Sequence, residues 1–301
     1  INERFDVALV NHYRYTPLII PYLKVPVAYY CHEYNRLYYE SLMDFPRTVE
    51  GEIEKLAFYA LRFLDTRIDR KCVNRADIIL ANSGYSRLRL AEVYGRDVIT
   101  NYCGVDGSIF RDLGLKKERA VLSIGVLNWV KGHEFVIQSI GAIDMTRRPK
   151  LIIVGADPAR SIDDIRGLAE KHNVELEYHE FVDEEKLVGL YNSVGVTVSA
   201  AWNEPFGLTL IESLACGTPV VAVREGGFNE IVTDDVGILT RRNKKEFSGA
   251  IDYLLTNPGI AREFGRTGRE RVLRNFSWSS CVKHLEKNLE KAIEIRGGGR
   301  K

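Results

Sequence analysis

No run of eighteen apolar residues occurs in this chain of 301, so no segment is expected to cross a membrane as a helix. Charge of one sign is also missing. Lysine and arginine number 42, aspartate and glutamate 41, and the net charge is +1. Nothing in that balance calls for nucleic acid or an acidic partner. Cysteine is scarce: Cys31, Cys72, Cys103, Cys216 and Cys281 are scattered without Cys-x-x-Cys spacing. Such a set reads as reduced, partly buried thiols of a cytoplasmic protein. His12, His133, His172, His179 and His284 have no metal-ligand spacing among them. Neither a Ser-His-Asp arrangement nor a P-loop is found, nor a signal peptide, internal repeat, coiled coil or low-complexity tract.

What is present describes a globular α/β protein. Hydrophobic residues make up 45% and charged residues 28%, and the length suits about two domains. Asp6–Val10 and Val27–Tyr30 read as strands, and Pro17, Pro21 and Pro26 rule out a long helix between them. Residues 50–72 read as a helix with an apolar stripe of Ala57, Ala60, Leu61, Leu64, Ile68 and Cys72. Its arginines, and those on to Arg96, are interleaved with acids, which reads as a solvated face first and a contact with an anionic membrane second. Asp77–Ala81 is a strand. Ser83 caps a helix that Gly95 stops, and Val98–Thr100 is the next strand. The polar, glycine-bearing stretch 106–118 divides the chain into domains of 1–115 and 116–301. Beyond it, strands at 120–124, 151–154, 174–178 and 196–200 alternate with helices at 133–142, 161–171 and 183–191. Helices at 244–255 and 260–274 follow, and Ser277-Trp278 opens a last one to about 295. Alternation of this kind predicts two doubly wound parallel sheets, with a ligand at the carboxyl ends of their strands. The chain begins at Ile1 rather than Met, which reads as a fragment or a processed product, and Gly297-Gly298-Gly299 reads as a tail.

The most informative stretch is Glu204–Val223, EPFGLTLIESLACGTPVVAV, with Gly226-Gly227 behind it. A turn at Pro205-Phe206-Gly207 opens a short helix, Gly217 closes it, and Pro219–Val223 is a strand. Free N–H groups and the positive end of the helix dipole favour an anion. Glu204 stands at the mouth of that helix, and Glu212 in its second turn can point back to the same space. A carboxylate accepts two hydroxyl hydrogens at once. A ligand with phosphate and sugar hydroxyls fits this pattern; so does an ordinary strand–turn–helix–strand with two solvated glutamates.

Some twenty-five consecutive residues here, EPFG, Glu212, ACGTPVVA and the Gly-Gly pair, resemble the donor-site signature of retaining GT-B glycosyltransferases of family 4. Asn82-Ser83, Gly104-Val105-Asp106 and Phe276-Ser277-Trp278 are similar to landmarks of the same family. The resemblance implies two Rossmann-like domains facing a cleft, the last helix crossing back to the first. It implies Glu204 on the donor sugar's hydroxyls and Glu212 on the ribose, with N–H groups from Phe206, Gly207, Leu208 and Thr209 on the diphosphate. In Gly125–Gly132, GVLNWVKG, Lys131 matches the phosphate-contacting lysine, with Gly125 and Asn128 in the same loop. Such a cation stabilises charge on the leaving diphosphate. The family's arginine falls on Val126, a departure. Phe181-Val182 matches the turn that holds the base. Trp202 and Asn203, just before Glu204, read either as lining of the sugar pocket or as core packing. His32, at a strand's carboxyl end, matches a histidine beside the transferred sugar, with Arg36 within reach. The family's first strands and Gly-rich acceptor loop have no match, so the first domain reads as truncated at its N-terminus.

The implied activity is transfer of a hexose, of mannose or glucose type, from a nucleotide diphosphate sugar to a carbohydrate or lipid-linked hydroxyl acceptor. Configuration is retained and no metal or cofactor is needed. YYCHEYNRLYYE bears a resemblance to mannosyltransferases that build surface polysaccharides. The implied location is cytoplasmic, peripheral at the inner membrane face. Two alternatives share the fold: a nucleotide-sugar 2-epimerase, and a non-catalytic nucleotide-sugar binding module.

Overall fold

Short strands that are apolar on both faces drive this chain into parallel sheets. β1 (Ala8–Asn11) is followed by β2 (Val27–Cys31), β3 (Ile78–Ala81) and β4 (Ile99–Thr100). Every residue of β2 and β3 is buried, as in sheets covered on both sides. The computed structural model describes residues 5–12, 15–39, 52–156 and 162–298. Glu50, Gly51, Ser161 and Gly299, which fell within sequence-based elements, lie outside them. The chain forms two units: Ile1–Tyr102 with Cys281–Lys301, and Cys103–Ser280.

In the first unit the four strands pair in parallel in chain order. The prolines between β1 and β2 leave only a 3-10 turn, Thr16–Tyr22, with Pro17 at its start. Three helices follow among the described residues: α1 (Arg36–Tyr39), α2 (Glu52–Val73) and α3 (Gly84–Tyr94). The hydroxyl of Ser83 accepts from the Ser86 N–H at 2.9 Å, and Gly95 closes α3 at φ +65°. Period-two alternation sorts the core. Val27, Tyr29, Ile79 and Ala81 pack with Leu90 and Tyr94 on one face. Ala28, Tyr30, Ile78 and Leu80 pack with Leu285, Leu289 and Ala292 of the chain's last helix on the other.

The apolar stripe of α2 is not a buried face. Leu61, Leu64 and Ile68 are 60%, 52% and 47% exposed. Burial is reached at Cys72 and Val73, where the chain turns into β3, and no described layer covers the stripe above them. Nor are the arginines all solvated. Arg96 donates to the carbonyls of Asn74, Ala76 and Asp77, and Arg62 to that of Tyr38.

The second unit holds β5 (Glu118–Ile124), β6 (Lys150–Val154), β7 (Leu176–His179), β8 (Val194–Ser199), β9 (Val220–Val223) and β10 (Gly237–Thr240). Its helices are α4 (His133–Gly141), α5 (Ile162–Lys171), α6 (Glu184–Ser193), α7 (Leu208–Ala215), α8 (Phe228–Ile231), α9 (Lys244–Thr256) and α10 (Pro258–Asn275). Helix α11 (Trp278–Gly298) starts here and continues into the first unit. All six strands are parallel, in the order β10-β9-β8-β5-β6-β7. Winding runs outward from β5 to one edge, then returns to β8 and runs to the other. The reversal between β5 and β8 is a topological switch point, where doubly wound sheets bind ligands beyond the strand ends. Among the described residues, no helix is long and apolar enough to cross a membrane.

Candidate functional site

The loops leaving β5 and β8 flank that switch point, and glycine lets the β5 loop lie against the loop leaving β6. Gly125 has φ +151° and Gly155, after β6, has φ +157°. A Cβ on Gly155 would lie 1.9 Å from the Gly125 carbonyl oxygen, so the two loops touch backbone to backbone. His133, at the start of α4, is 2% exposed and braces the same loop. Its Nε2 lies 3.0 Å from the Gly125 carbonyl, and its Nδ1 lies 3.0 Å from the Ser123 hydroxyl. The carbonyl can only accept, so Nε2 carries the proton and Nδ1 takes the Ser123 hydroxyl hydrogen. Burial lowers the His133 pKa to about 4, which keeps the ring neutral.

This loop brings Lys131 to Glu204. The side-chain oxygen of Asn128 accepts from the Lys131 N–H at 3.1 Å and caps a 3-10 turn, Trp129–Lys131. That bond occupies the oxygen of Asn128 in loop structure. The Trp202 N–H donates to the Val130 carbonyl at 2.7 Å, which ties the loop after β8 to this turn. Across the tie, Lys131 Nζ and Glu204 Oε2 form a salt bridge of 2.9 Å, with the side chains 31% and 20% exposed. Asn203, before Glu204, holds φ +48°, a left-handed conformation that asparagine tolerates. Gly226 is required behind it: a Cβ there would meet the Glu204 carbonyl oxygen at 2.2 Å. The Gly227 N–H donates to that same oxygen at 2.8 Å.

Arg242, which the sequence did not single out, clamps this loop from β10's side. Its guanidinium lies 3.6 Å from the centre of the Trp202 ring and donates to the carbonyls of Ala200 (2.8 Å) and Ala201 (3.3 Å). Two further bonds, 2.9 and 2.7 Å, go to the carboxylate of Glu225. A planar fork can serve all of these at once, which an ammonium cannot. Arg242→Ala should destabilise the second unit by about 2–3 kcal/mol, because it strands a mostly buried carboxylate. Denaturant unfolding measures the loss, and Arg242→Lys should recover less than half of it.

Helix α7 presents its N-terminus beyond β8. Gly207 stands at φ +117°, where a Cβ would sit 2.9 Å from the Phe228 ring. The first N–H groups of an α-helix have no acceptor within it. Phe206 is buried against Phe276, Leu208 is 47% exposed, and Thr209 is half-buried. Glu212 does not join the Lys131–Glu204 pair among the described contacts. It accepts from the Tyr191 hydroxyl at 2.7 Å. Burial raises its pKa to about 7, opposed by that hydrogen bond and reinforced by Glu184. Phe181 is 87% exposed, while Val182 packs beside Val188 and Tyr191. Val126 is 45% exposed and carries no charge into the loop.

His32 and Arg36 belong to the first unit. His32 follows β2 and lines a cavity of about 750 Å³, whose described walls also include His12, Arg36, Tyr38 and Asp65. Its ring lies 4.2 Å from that of Tyr30. Burial lowers its pKa, and lowers that of His12 to about 4, with His32 adding to the second shift. His12 Nδ1 lies 2.5 Å from the Tyr29 hydroxyl. His12 was missed as a site residue because twenty positions of chain separate it from His32, and only strand pairing closes that gap. His133, Tyr191 and Arg242 gave no motif signal either. Among the described residues no cluster of three histidine, cysteine, aspartate or glutamate side chains could hold a metal.

Two parallel α/β units, one with an ion pair at its switch point, define a protein of the GT-B glycosyltransferase fold. The chain belongs to the family described as glycosyl transferases group 1, which matches residues 106–271. It is 28% identical over 252 residues to the D-inositol 3-phosphate glycosyltransferase 2 of Catenulispora acidiphila, covering 74% of this chain and 58% of that one. Among solved structures, sucrose-phosphate synthase from Thermosynechococcus elongatus matches with TM-score 0.78 at 24% identity, over 95% of this chain and 73% of that one. HepE of Anabaena in complex with UDP-glucose matches with TM-score 0.77 at 18% identity, over 95% and 79%. At those identities the structures speak for the fold. The chain spans about half to three fifths of the length of the curated relatives it matches.

Proposed function

We propose that this chain takes part in moving a hexose from a nucleotide diphosphate sugar to a hydroxyl acceptor, with retention of configuration. The observation that carries the proposal is the Lys131–Glu204 pair at the β5/β8 switch point, beside the N-terminus of α7. An ammonium and free N–H groups suit a diphosphate, and the carboxylate beside them suits the sugar's hydroxyls. The second unit then acts as the donor module. Lys131 and the N–H groups of Gly207, Leu208 and Thr209 hold the diphosphate, Glu204 orients the sugar, and Glu212 receives the ribose diol. Gly125 lets the phosphates approach the β5 loop, and the turn at Phe181-Val182 takes the base. The first unit acts on the acceptor side, where His32 lines a cavity. HepE was solved with UDP-glucose, which favours uracil as the base and glucose as the sugar. Val126 leaves Lys131 as the cation of its loop, so affinity for the diphosphate should be modest.

Calorimetric titration of the chain with UDP, GDP and ADP tests the donor site. One base should be preferred; no heat with any of the three would overturn the proposal. The titration should also depend on pH in a stated direction. A ribose diol donates both hydrogens, so Glu212 must be ionised to accept them. With a ligand-free pKa of about 7, affinity should rise from pH 6 to pH 8 and be about tenfold lower at pH 6. Glu212→Gln should bind weakly and keep only the pH dependence that belongs to the phosphates. Stability runs in the opposite direction with pH. The folded pKa lies above the unfolded value of 4.5, so the contribution is present below 4.5 and is lost as pH rises through about 7. Glu212→Gln should therefore be the more stable form above pH 7.

A further inference from the structure

We propose that the first-unit cavity at His32 binds an uncharged polyhydroxyl compound, a sugar or cyclitol, and discriminates against its phosphorylated form. The assignment rests on the reading of this chain as a glycosyltransferase, whose second substrate must present a hydroxyl.

The walls supply what a neutral polyol needs. At about 750 Å³ the cavity falls within the range of small-ligand sites, about 300–1,000 Å³. Tyr15 and Tyr38 line it, and tyrosine rings offer apolar faces to sugar C–H groups with a polar tip for the hydroxyls. Burial foremost raises the pKa of Tyr38, and its neighbours Asp65 and Tyr15 add to the shift. Asp65 lines the same wall, and its carboxylate is an acceptor for a ligand's hydroxyls. The neutral rings of His12 and His32 add polar nitrogens to the walls, although the Tyr29 hydroxyl takes Nδ1 of His12.

The same walls are wrong for a phosphate. Arg36 is the one lysine or arginine among the described lining residues, and Glu33 holds its Nε at 3.0 Å. That ion pair contributes no net charge. Asp65 and Asp69 remain, with no second cation to balance them among the described walls. Asp69 Oδ2 accepts from the hydroxyls of Tyr39 at 2.7 Å and Tyr94 at 3.1 Å, both neutral donors; Arg70, outside the described walls, is the cation that acts on Asp69. The two histidines add no positive charge near neutral pH, since burial lowers both pKa values. A doubly charged phosphate brought among these carboxylates meets repulsion in a partly desolvated space. An anion site is built the other way, with arginine forks or helix N-termini aimed inward.

Saturation-transfer NMR on the full chain, titrated with glucose, myo-inositol and glucose 6-phosphate, decides the matter. Glucose or myo-inositol should give transfer, and glucose 6-phosphate should bind at least tenfold more weakly than glucose. Asp65→Asn should weaken the polyol at least fivefold and narrow the discrimination against the phosphate. Tyr38→Phe, which keeps the ring, should weaken the polyol without narrowing it. Equal or tighter binding of glucose 6-phosphate overturns the proposal, as does polyol binding that neither variant changes. No transfer from any of the three probes overturns it too. Calorimetry with UDP on the same samples reads the second unit separately. Loss of nucleotide binding with polyol binding intact counts against the transferase reading and leaves the cavity assignment standing.

Discussion

Glu204→Ala should abolish sugar transfer while leaving nucleotide binding intact or tighter. In the ligand-free chain Glu204 Oε2 lies 2.9 Å from Lys131 Nζ, so the carboxylate competes with an incoming diphosphate for the same ammonium. Removing it frees Lys131 for UDP. The sugar loses its acceptor at the same step. Two hydrogen bonds to a charged group, each worth about 1.5–3 kcal/mol, correspond to about a hundred- to ten-thousandfold in transfer. The backbone around residue 204 should not move, because the Gly227 N–H and the Trp202 tie hold it without that side chain. The pair is partly exposed, and its loss should cost about 1 kcal/mol of stability or less. Transfer is read as release of nucleoside diphosphate with acceptor present, and binding by calorimetry. A variant that turned over normally would sink the assignment of Glu204; one that lost UDP binding and transfer together would point to a structural role.

Lys131→Ala should do the opposite to binding. One charge-assisted contact to the diphosphate is lost, about 1.5–3 kcal/mol, and Glu204 is left as an uncompensated carboxylate facing the anion. Nucleotide affinity should fall about ten- to a hundredfold, and transfer further, since charge grows on the leaving diphosphate as the glycosidic bond breaks. The pair predicts non-additivity. The double variant Lys131→Ala, Glu204→Ala should bind UDP better than Lys131→Ala alone, because the repelling carboxylate is gone. Equal affinity in the two would mean that the salt bridge of the free chain has no part in donor binding.

The strands and helices of this chain were legible because their signals are local. Apolar runs and helical stretches marked nine of the ten strands of the described residues and the longer helices within a few residues; β10 (Gly237–Thr240), short and opening on a glycine, gave no such strand signal. Ser83, Gly95 and Gly217 marked ends by cap chemistry that any sequence carries on its face. Lys131 and Glu204 stood out through motif resemblance, each beside a glycine turn. The α2 stripe misled, because periodicity reports which residues share a face and not whether another layer exists to cover it. Leu61 and Leu64 have the spacing of a core and the exposure of a surface.

Sequence by itself therefore determined the class of fold, the parallel pairing and the two ends of the ion pair. Tertiary structure decided which residues meet. The order β10-β9-β8-β5-β6-β7 places loops 73 residues apart on either side of one switch point, and so makes a single site of Lys131 and Glu204. It also separated two glutamates that share one motif, giving Glu204 to a lysine and Glu212 to Tyr191. His12 reached His32, and Arg242 reached Trp202, by the same means. Chain distance carries no information about such contacts. They follow from strand order and from close packing, which are properties of the assembled sheet and not of any segment within it.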